Sequence, residues 1–195
     1  MEIGLETYHN DVIGRINNEI GCDLLSKSIG DSTCIVSKGE IREGLMNLED
    51  RIREMENSFV GDTDNCPLKH SFSDGIYVRE IFIPKGTLLT GKIHKHEHPN
   101  FLMSGEVLVV TENNGRELLK APLSIISPSG TKRALYTLTD VVLITTHFNP
   151  TNTQDLEELE KIAVASSYDE YEKFIESKKS TLSKLKNLII KNLSL

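Results

Sequence analysis

The chain has 195 residues, a length that suits one well-buried core with appendages and leaves little room for a second full domain. Its 22 basic and 29 acidic residues give a net charge of −7, which argues against binding of nucleic acid or an anionic membrane by the whole surface. Cys22, Cys34 and Cys66 are far apart and lack C-x-x-C spacing, so neither a disulfide framework nor a zinc finger is predicted. Because no signal peptide and no apolar run of the ~20 residues of a membrane span is present, we expect a cytoplasmic protein.

Residues 1–65 are predicted to form a helical arm and a linker. Val12, Ile16 and Ile20 recur at helical spacing, which predicts one short helix. Between residues 39 and 57, apolar side chains recur at steps of four and three, at Ile41, Leu45, Leu48, Ile52 and Met55. This seam indicates either a coiled coil that joins copies of the chain or an amphipathic helix on the protein's own β-domain, with Glu49 on the solvated face in both cases.

Residues 66–150 contain the β-structure. Strands are predicted at residues 76–83, 87–94, 101–111, 116–121, 123–127, 133–138 and 141–148. Asn114-Gly115 is typical of a tight hairpin, and short strands separated by Gly and Pro indicate a mainly β sandwich or barrel. His147 shares its parity with Val141 and Leu143, so it faces the interior if those residues do.

Residues 84–105 carry the strongest chemical signal, three histidines at every second position. On an extended strand, His94, His96 and His98 would project from one face. Nitrogen-rich sites suit zinc, copper, iron and nickel, and a site with two or three protein ligands leaves positions open for substrate or oxygen. The alternative is a solvated strand end before a turn at Pro99-Asn100.

Residues 151–195 are predicted to form C-terminal helices, with Thr151 or Thr153 as the N-cap. Residues 178–195 carry five lysines and no acidic residue, with leucines and isoleucines on one helical side. Such a helix can bind a membrane surface or a partner groove. We predict instead that it packs on the acidic residues 155–176, within the subunit or across a homo-oligomer, and we expect no membrane partner.

The histidine-rich segment resembles the first motif of the cupin family, in which a glycine precedes a His-x-His pair, an acidic residue follows and a glycine closes the turn. Counted forward from His94, the acidic position falls on Asn100 and the closing glycine comes too early. Counted back from Gly105, Lys92 and His94 take the places of the histidine pair and His98 that of the acidic residue. We favour the second register because it keeps the hairpin spacing.

The family's second motif, Pro-x-Gly-x-x-His, resembles PSGTKR, where Arg133 takes the histidine's place. Because the last strand of a jelly roll lies beside the strand of the first motif, His147 can replace the missing ligand. The resemblance implies a divalent metal, with iron, manganese, nickel or zinc as candidates, held by His94, His98 and His147. Arg133 is suited to grip an anionic group of a small-molecule ligand, since its planar donor fork matches carboxylate or phosphate; Lys132 and Tyr136 are candidates to assist it.

Longer stretches, GIYVREIFIPKGTLLTGKIH, APLSIISPSGTKR and THFNPTNTQDLEELE, resemble small cupin-like proteins of phage and prophage genomes, a group without a settled activity. The resemblance implies a cupin-type jelly-roll barrel at residues 66–150, between N-terminal and C-terminal α-helical extensions. Three functions follow as hypotheses. They are metal-dependent catalysis on a small polar or anionic substrate, binding or sequestering of a nucleotide or metabolite without catalysis, and a structural or assembly role.

Overall fold

The computed structural model describes residues 3–6, 37–56, 58–61, 63–64 and 66–193, and the helix predicted around Val12, Ile16 and Ile20 lies outside them. The described strands are β1 (Ile3–Glu6), β2 (Ser58–Val60), β3 (Leu68–Ser73), β4 (Ile76–Ile83), β5 (Thr87–Thr90), β6 (Ile93–His94), β7 (His98–Ser104), β8 (Glu106–Thr111), β9 (Gly115–Lys120), β10 (Leu123–Ser127), β11 (Arg133–Thr137), β12 (Val141–Phe148) and β13 (Val164–Ala165). The described helices are α1 (Lys38–Glu54), α2 (Leu156–Ala163) and α3 (Tyr168–Leu193). None of these helices is long and apolar enough to cross a membrane.

The strands form two antiparallel sheets with a common core between them. The first sheet has the order β2-β1-β5-β11-β8-β9 and the second sheet the order β10-β7-β12-β4-β3, while β6 and β13 form a separate ribbon. The pairing is nested, because β4 pairs with β12, β5 with β11, β7 with β10 and β8 with β9. Nested pairing of this kind is the topology of a jelly roll. The predicted mainly β jelly-roll class is thus confirmed, although the two sheets do not close into a continuous barrel.

Gly105 divides the strand predicted at residues 101–111 into β7 and β8. Its φ of +86° turns the chain from the second sheet to the first. A Cβ atom at this position would lie 2.2 Å from the backbone oxygen of Asp140, so glycine is required by space as well as by conformation. Strands β1 and β2, which extend the first sheet from within residues 1–65, were not predicted.

Alternation along β12 fixes which side chains face the core. Val141, Leu143, Thr145 and His147 are buried, while the intervening residues are half-buried or exposed. Val141 and Leu143 pack against inward residues of both sheets. His147 therefore lies on the inward face. The prediction that it faces the interior together with Val141 and Leu143 is confirmed.

Helix α1 covers the outer face of the first sheet. The Ser37 hydroxyl accepts a hydrogen bond from the backbone N–H of Glu40 at 3.3 Å, and the Glu40 carboxylate accepts one from the backbone N–H of Ser37 at 2.7 Å. Leu45, Leu48 and Ile52 are buried against β5, β8 and β11. Of the two interpretations of the apolar seam, packing on the protein's own β-domain is therefore the one observed.

Beyond β12 the chain forms α2, β13 and α3 in turn. The Asp155 carboxylate caps α2 by accepting a hydrogen bond from the backbone N–H of Glu157 at 2.9 Å, a role predicted for Thr151 or Thr153. Helix α3 runs without a break through both the acidic and the basic residues. Leu182, Leu185 and Ile189 are 58%, 50% and 57% exposed, so the predicted packing of the basic segment within the subunit is wrong.

Candidate functional site

A cavity of about 340 Å³ lies between the second sheet and α2. Its walls come from β3, β4, β6, β11, β12, α2 and the start of β13, and the lining residues are Gly61, Leu68, His70, Tyr77, Arg79, Lys92, His94, Arg133, Thr145, His147, Leu156, Glu157, Leu159, Glu160, Ala163 and Val164. Known small-molecule sites span about 300–1,000 Å³, so this cavity suits a small metabolite.

Imidazole rings are stacked at one wall of the cavity. The ring centroids of His94 and His147 lie 5.3 Å apart with planes only 2° from parallel, and the His98 centroid lies 4.0 Å from that of His94. The stack continues to Tyr77, the cross-strand partner of His147, at a centroid distance of 5.7 Å. The Tyr77 hydroxyl in turn lies 2.7 Å from Nδ1 of His70. The result is a continuous row of rings from the edge strand β3 into the core.

Burial keeps His94 and His98 uncharged at neutral pH. Burial lowers the pKa of His94 well below its ordinary value, and the neighbouring His98 adds to this effect. Burial, followed by the guanidinium of Arg133, lowers the pKa of His98 to about 4. Nδ1 of His94 and Nε2 of His98 are buried without a hydrogen-bond partner within the described part of the chain. A buried polar atom without a partner costs about 1–3 kcal/mol, which a hydrogen bond to a bound molecule would offset.

Two arginines bring permanent positive charge to the cavity. Arg133 is 5% exposed, and its Nη2 donates a hydrogen bond to Oδ1 of Asn100 at 3.0 Å. Asn100 is itself fully buried and donates from Nδ2 to Oγ of Ser127 at 2.9 Å, which fixes its orientation. Arg79 lines the cavity from β4, and both arginines add to the effect of burial in lowering the pKa of His94. Because a guanidinium does not lose its proton in proteins, both charges persist at every working pH.

Helix α2 forms the opposite wall and carries the acidic groups. Among the described residues that line the cavity, Glu157 and Glu160 are the acidic ones. Glu160 is paired with Lys92, which lines the cavity from the chain before β6. Nζ of Lys95 donates a hydrogen bond to the backbone oxygen of Lys161 at 2.8 Å, which ties the end of α2 to the histidine segment. The carboxylates that line the cavity thus lie on α2, and the two guanidinium groups lie on strands of the sheets.

The structure brings together four of the residues predicted for the site, which are His94, His98, His147 and Arg133. His96 does not join them, because residues 95–97 leave the extended conformation between β6 and β7. Its ring centroid lies instead 5.3 Å from that of Phe174 on α3. This placement agrees with the second of the two motif registers, in which His94 and His98 are the inward residues.

Lys132 and Tyr136 were predicted to assist Arg133, but the structure places them outside the cavity. Side chains alternate along the chain at β11, so these two residues face α1 on the opposite side of the sheet from Arg133. Nζ of Lys132 pairs with the Glu49 carboxylate and donates to the backbone oxygen of Gly91 at 3.0 Å. Burial raises the pKa of Glu49, but Lys132 outweighs this effect and holds it below its ordinary value. Glu49, predicted to be solvated, is in fact 8% exposed.

Two lining residues on β4, Tyr77 and Arg79, were not predicted. They share their parity with Ile81 and Ile83, which are buried in the core. The opposite parity of β4 also carries large apolar side chains, so the sequence pattern did not show which face is inward. The register with β12 resolves this, since Tyr77 pairs with His147.

The metal site predicted at His94, His98 and His147 stays a prediction. Within the described part of the chain, no group of three or more His, Cys, Asp or Glu side chains is arranged to hold a metal ion. The ring planes of His94 and His147 are only 2° from parallel. Two guanidinium groups close by also oppose the charge of a divalent cation.

No family model matches the sequence, and the search of curated proteins found no match. Among solved structures, an RmlC-like cupin from Shewanella frigidimarina is 20% identical, with 50% of this chain and 83% of that chain covered and a TM-score of 0.40. An RmlC-like cupin with a double-stranded β-helix fold from Methanocaldococcus jannaschii is 12% identical, with 46% and 85% covered and a TM-score of 0.38. Ectoine synthase from P. lautus is 15% identical, with 46% and 67% covered and a TM-score of 0.40. These neighbours are cupins, while the jelly-roll class of this chain rests on its own strand pairing.

Proposed function

We propose that the cavity binds a small anionic molecule, a carboxylate or a phosphate compound, through Arg133. The observation that carries this proposal is the buried guanidinium group, which occupies the position of a motif histidine and lies beside uncharged imidazoles. One of its hydrogen bonds goes to the neutral amide of Asn100. A guanidinium group presents paired donors that match the two oxygens of a carboxylate or phosphate. In a site shielded from water such a charge-assisted pair is stronger than at the surface.

The surroundings of Arg133 support a ligand of metabolite size. The volume of about 340 Å³ is large enough for an anion with an organic portion, and Leu68, Leu156 and Leu159 provide an apolar wall for it. A neutral imidazole offers one donor and one acceptor, so the unpartnered Nδ1 of His94, a residue that lines the cavity, can orient a polar group without adding charge. Arg79 provides a second positive charge for a dianion.

Replacement of Arg133 by Gln is expected to weaken binding of a small dianion by about 10- to 100-fold, since hydrogen bonds to charged groups contribute about 1.5–3 kcal/mol. Thermal shift measurements with inorganic phosphate, sulfate and short dicarboxylates select the anion, and isothermal titration calorimetry then gives its affinity. Arg133→Lys keeps the charge and loses the donor fork, so its affinity should fall between those of the wild type and Arg133→Gln.

Arg51→Gln is the matched control, because it removes the same charge from an exposed position on α1. Its affinity should equal that of the wild type. Equal weakening by Arg51→Gln and Arg133→Gln would mean that the anion responds to overall charge, and the proposed site would be rejected. Circular dichroism melts of all variants separate loss of binding from loss of folding.

A metal centre is the second candidate. The observation in its favour is the pair of buried, unpartnered nitrogens, Nδ1 of His94 and Nε2 of His98, close to His147. Elemental mass spectrometry of protein purified without a histidine tag tests it, alongside a variant with all three histidines changed to Ala. Near-stoichiometric iron, manganese, nickel or zinc that disappears in the variant would favour metal-dependent catalysis. The anion proposal predicts no such metal.

Sequestering of a nucleotide or metabolite without turnover is one form of this proposal, and it is the form that a phage origin would suggest. A structural or assembly role stays a separate prediction. The coiled-coil form of that prediction has lost its basis, because Leu48 and Ile52 are buried within their own subunit.

A further inference from the structure

The C-terminal half of α3 carries an exposed apolar stripe. Leu182, Leu185 and Ile189 follow one another at steps of three and four, so they lie on one side of the helix. They are 58%, 50% and 57% exposed. The same three-and-four spacing occurs in the seam of α1, which is buried on the first sheet. The stripe on α3 therefore has the pattern of a helix face that packs on a sheet.

The outer face of the second sheet is a matching apolar surface. Large apolar side chains exposed on it are Ile76, Phe82, Phe101, Met103, Ile126 and Phe148, with exposed fractions between 37% and 58%. They are contiguous, because β12 pairs Ile144 with Phe101 and Val142 with Phe82 across the sheet. Contiguous apolar patches of this kind mark interaction sites on soluble proteins. The outer face of the first sheet, by contrast, is covered by α1.

We propose that the chain forms a dimer in which α3 of each protomer lies across the outer face of the second sheet of its partner. The reciprocal contact closes with two-fold symmetry and covers both apolar surfaces at once. Residues 182–193 span about 17 Å at 1.5 Å per residue, and the five strands of the second sheet span about 19 Å at 4.8 Å per spacing. Helix α3 also starts beside this face, since the ring of His96 contacts both Phe148 and Phe174.

Charge favours the sheet of a partner over the same helix of a partner. Residues 178–193 carry five lysines and no acidic residue, so two stripes packed on each other would bring lysines together. The rest of the chain has 17 basic against 29 acidic residues, so its net charge is opposite in sign to that of this helix. An anionic membrane would also attract the helix, but it would leave the apolar face of the second sheet exposed to water.

The mass of the full-length protein in solution, measured by light scattering coupled to size-exclusion chromatography, tests the dimer. The expected mass is twice the 21.9 kDa of the chain. A double variant, Leu185→Asp with Ile189→Asp, and a single variant, Met103→Asp, should each weaken the dimer by at least about tenfold, because each places a charge in the apolar contact. Leu118→Asp is the matched control on the first sheet, where Leu118 is 47% exposed, and it should leave the dimer intact.

A photo-crosslinking amino acid at position 189 identifies the contact surface directly. In a mixture of isotopically labelled and unlabelled protein, crosslinks should join position 189 of one copy to peptides of β7, β10 or β12 of the other. A monomeric wild type, crosslinks to residues 182–193 of the partner, or a dimer unchanged by Met103→Asp would each overturn the proposal. So would binding to phosphatidylserine vesicles as a monomer.

Discussion

Replacement of Lys132 by Met lowers the free energy of unfolding by about 3–5 kcal/mol, the loss expected when one partner of a buried ion pair is removed. The side chains of Lys132 and Glu49 are only 3% and 10% exposed, so the remaining carboxylate cannot regain full hydration. Methionine keeps the length of the side chain, and the loss therefore reports the charge rather than a cavity. Urea unfolding at pH 7 measures it.

Two further variants separate the pair from its surroundings. Changing Glu49 to Leu together with Lys132 to Met removes both charges and should recover most of the loss, because a buried pair and its apolar replacement are often close in stability. Arg53→Met removes the second partner of Glu49, because the Arg53 guanidinium donates a hydrogen bond to the Glu49 carboxylate at 2.6 Å. Arg53 is 49% exposed, so this variant should cost about 1 kcal/mol or less. If Lys132→Met lowered the free energy of unfolding no more than Arg53→Met does, this would contradict the conclusion that Lys132 and Glu49 form a buried ion pair.

The second large effect is a loss of stability as the pH falls from 7 to 5. The pKa of His98 is about 4 in the folded protein and near 6.5 in the unfolded chain, so the unfolded chain binds more protons throughout this window. Stability is therefore full above the unfolded pKa and declines as the pH drops toward 4. The His98 contribution is about 2 kcal/mol between pH 7 and pH 5. His94, whose pKa is also lowered, adds a loss of the same sign.

Urea unfolding of the anion-free protein at half-unit steps from pH 7 to pH 5 measures this slope. Gln at positions 94 and 98 removes the two titrating groups and keeps polar side chains, so the double variant should give a much flatter profile. A profile with the same slope in wild type and double variant would show that these histidines are not buried in an uncharged state.

Much of the fold could be predicted because alternation and turn residues act locally. The parity of Val141 and Leu143 placed His147 inward, and the structure bears this out. Gly105 fixes the point where the chain passes from one sheet to the other. Counting residues back from it placed His94 and His98 on the inward side of the hairpin. The direction of these side chains is set by the strands that carry them and does not depend on packing against distant parts of the chain.

The failures concern side chains whose position depends on a second element. Both faces of β11 are buried, and one of them packs against α1. The sequence pattern around Lys132 and Tyr136 therefore did not show that these side chains face α1. His96 has the same parity as His94 and His98, but a bend between β6 and β7 turns its side chain outward. The basic segment after residue 178 was predicted to pack on residues 155–176 within the subunit or across a homo-oligomer. Packing within the subunit is wrong, because no Gly or Pro interrupts residues 168–193 and one helix continues through both segments.

The most direct test of the anion site is a crystal structure of the protein with the anion selected by thermal shift. The account predicts electron density for that anion within hydrogen-bonding distance of the Arg133 guanidinium group, with Asn100 still bonded to it and the rings of His94 and His147 still stacked. A metal ion coordinated by His94, His98 and His147, or an anion bound only outside the cavity, would contradict it.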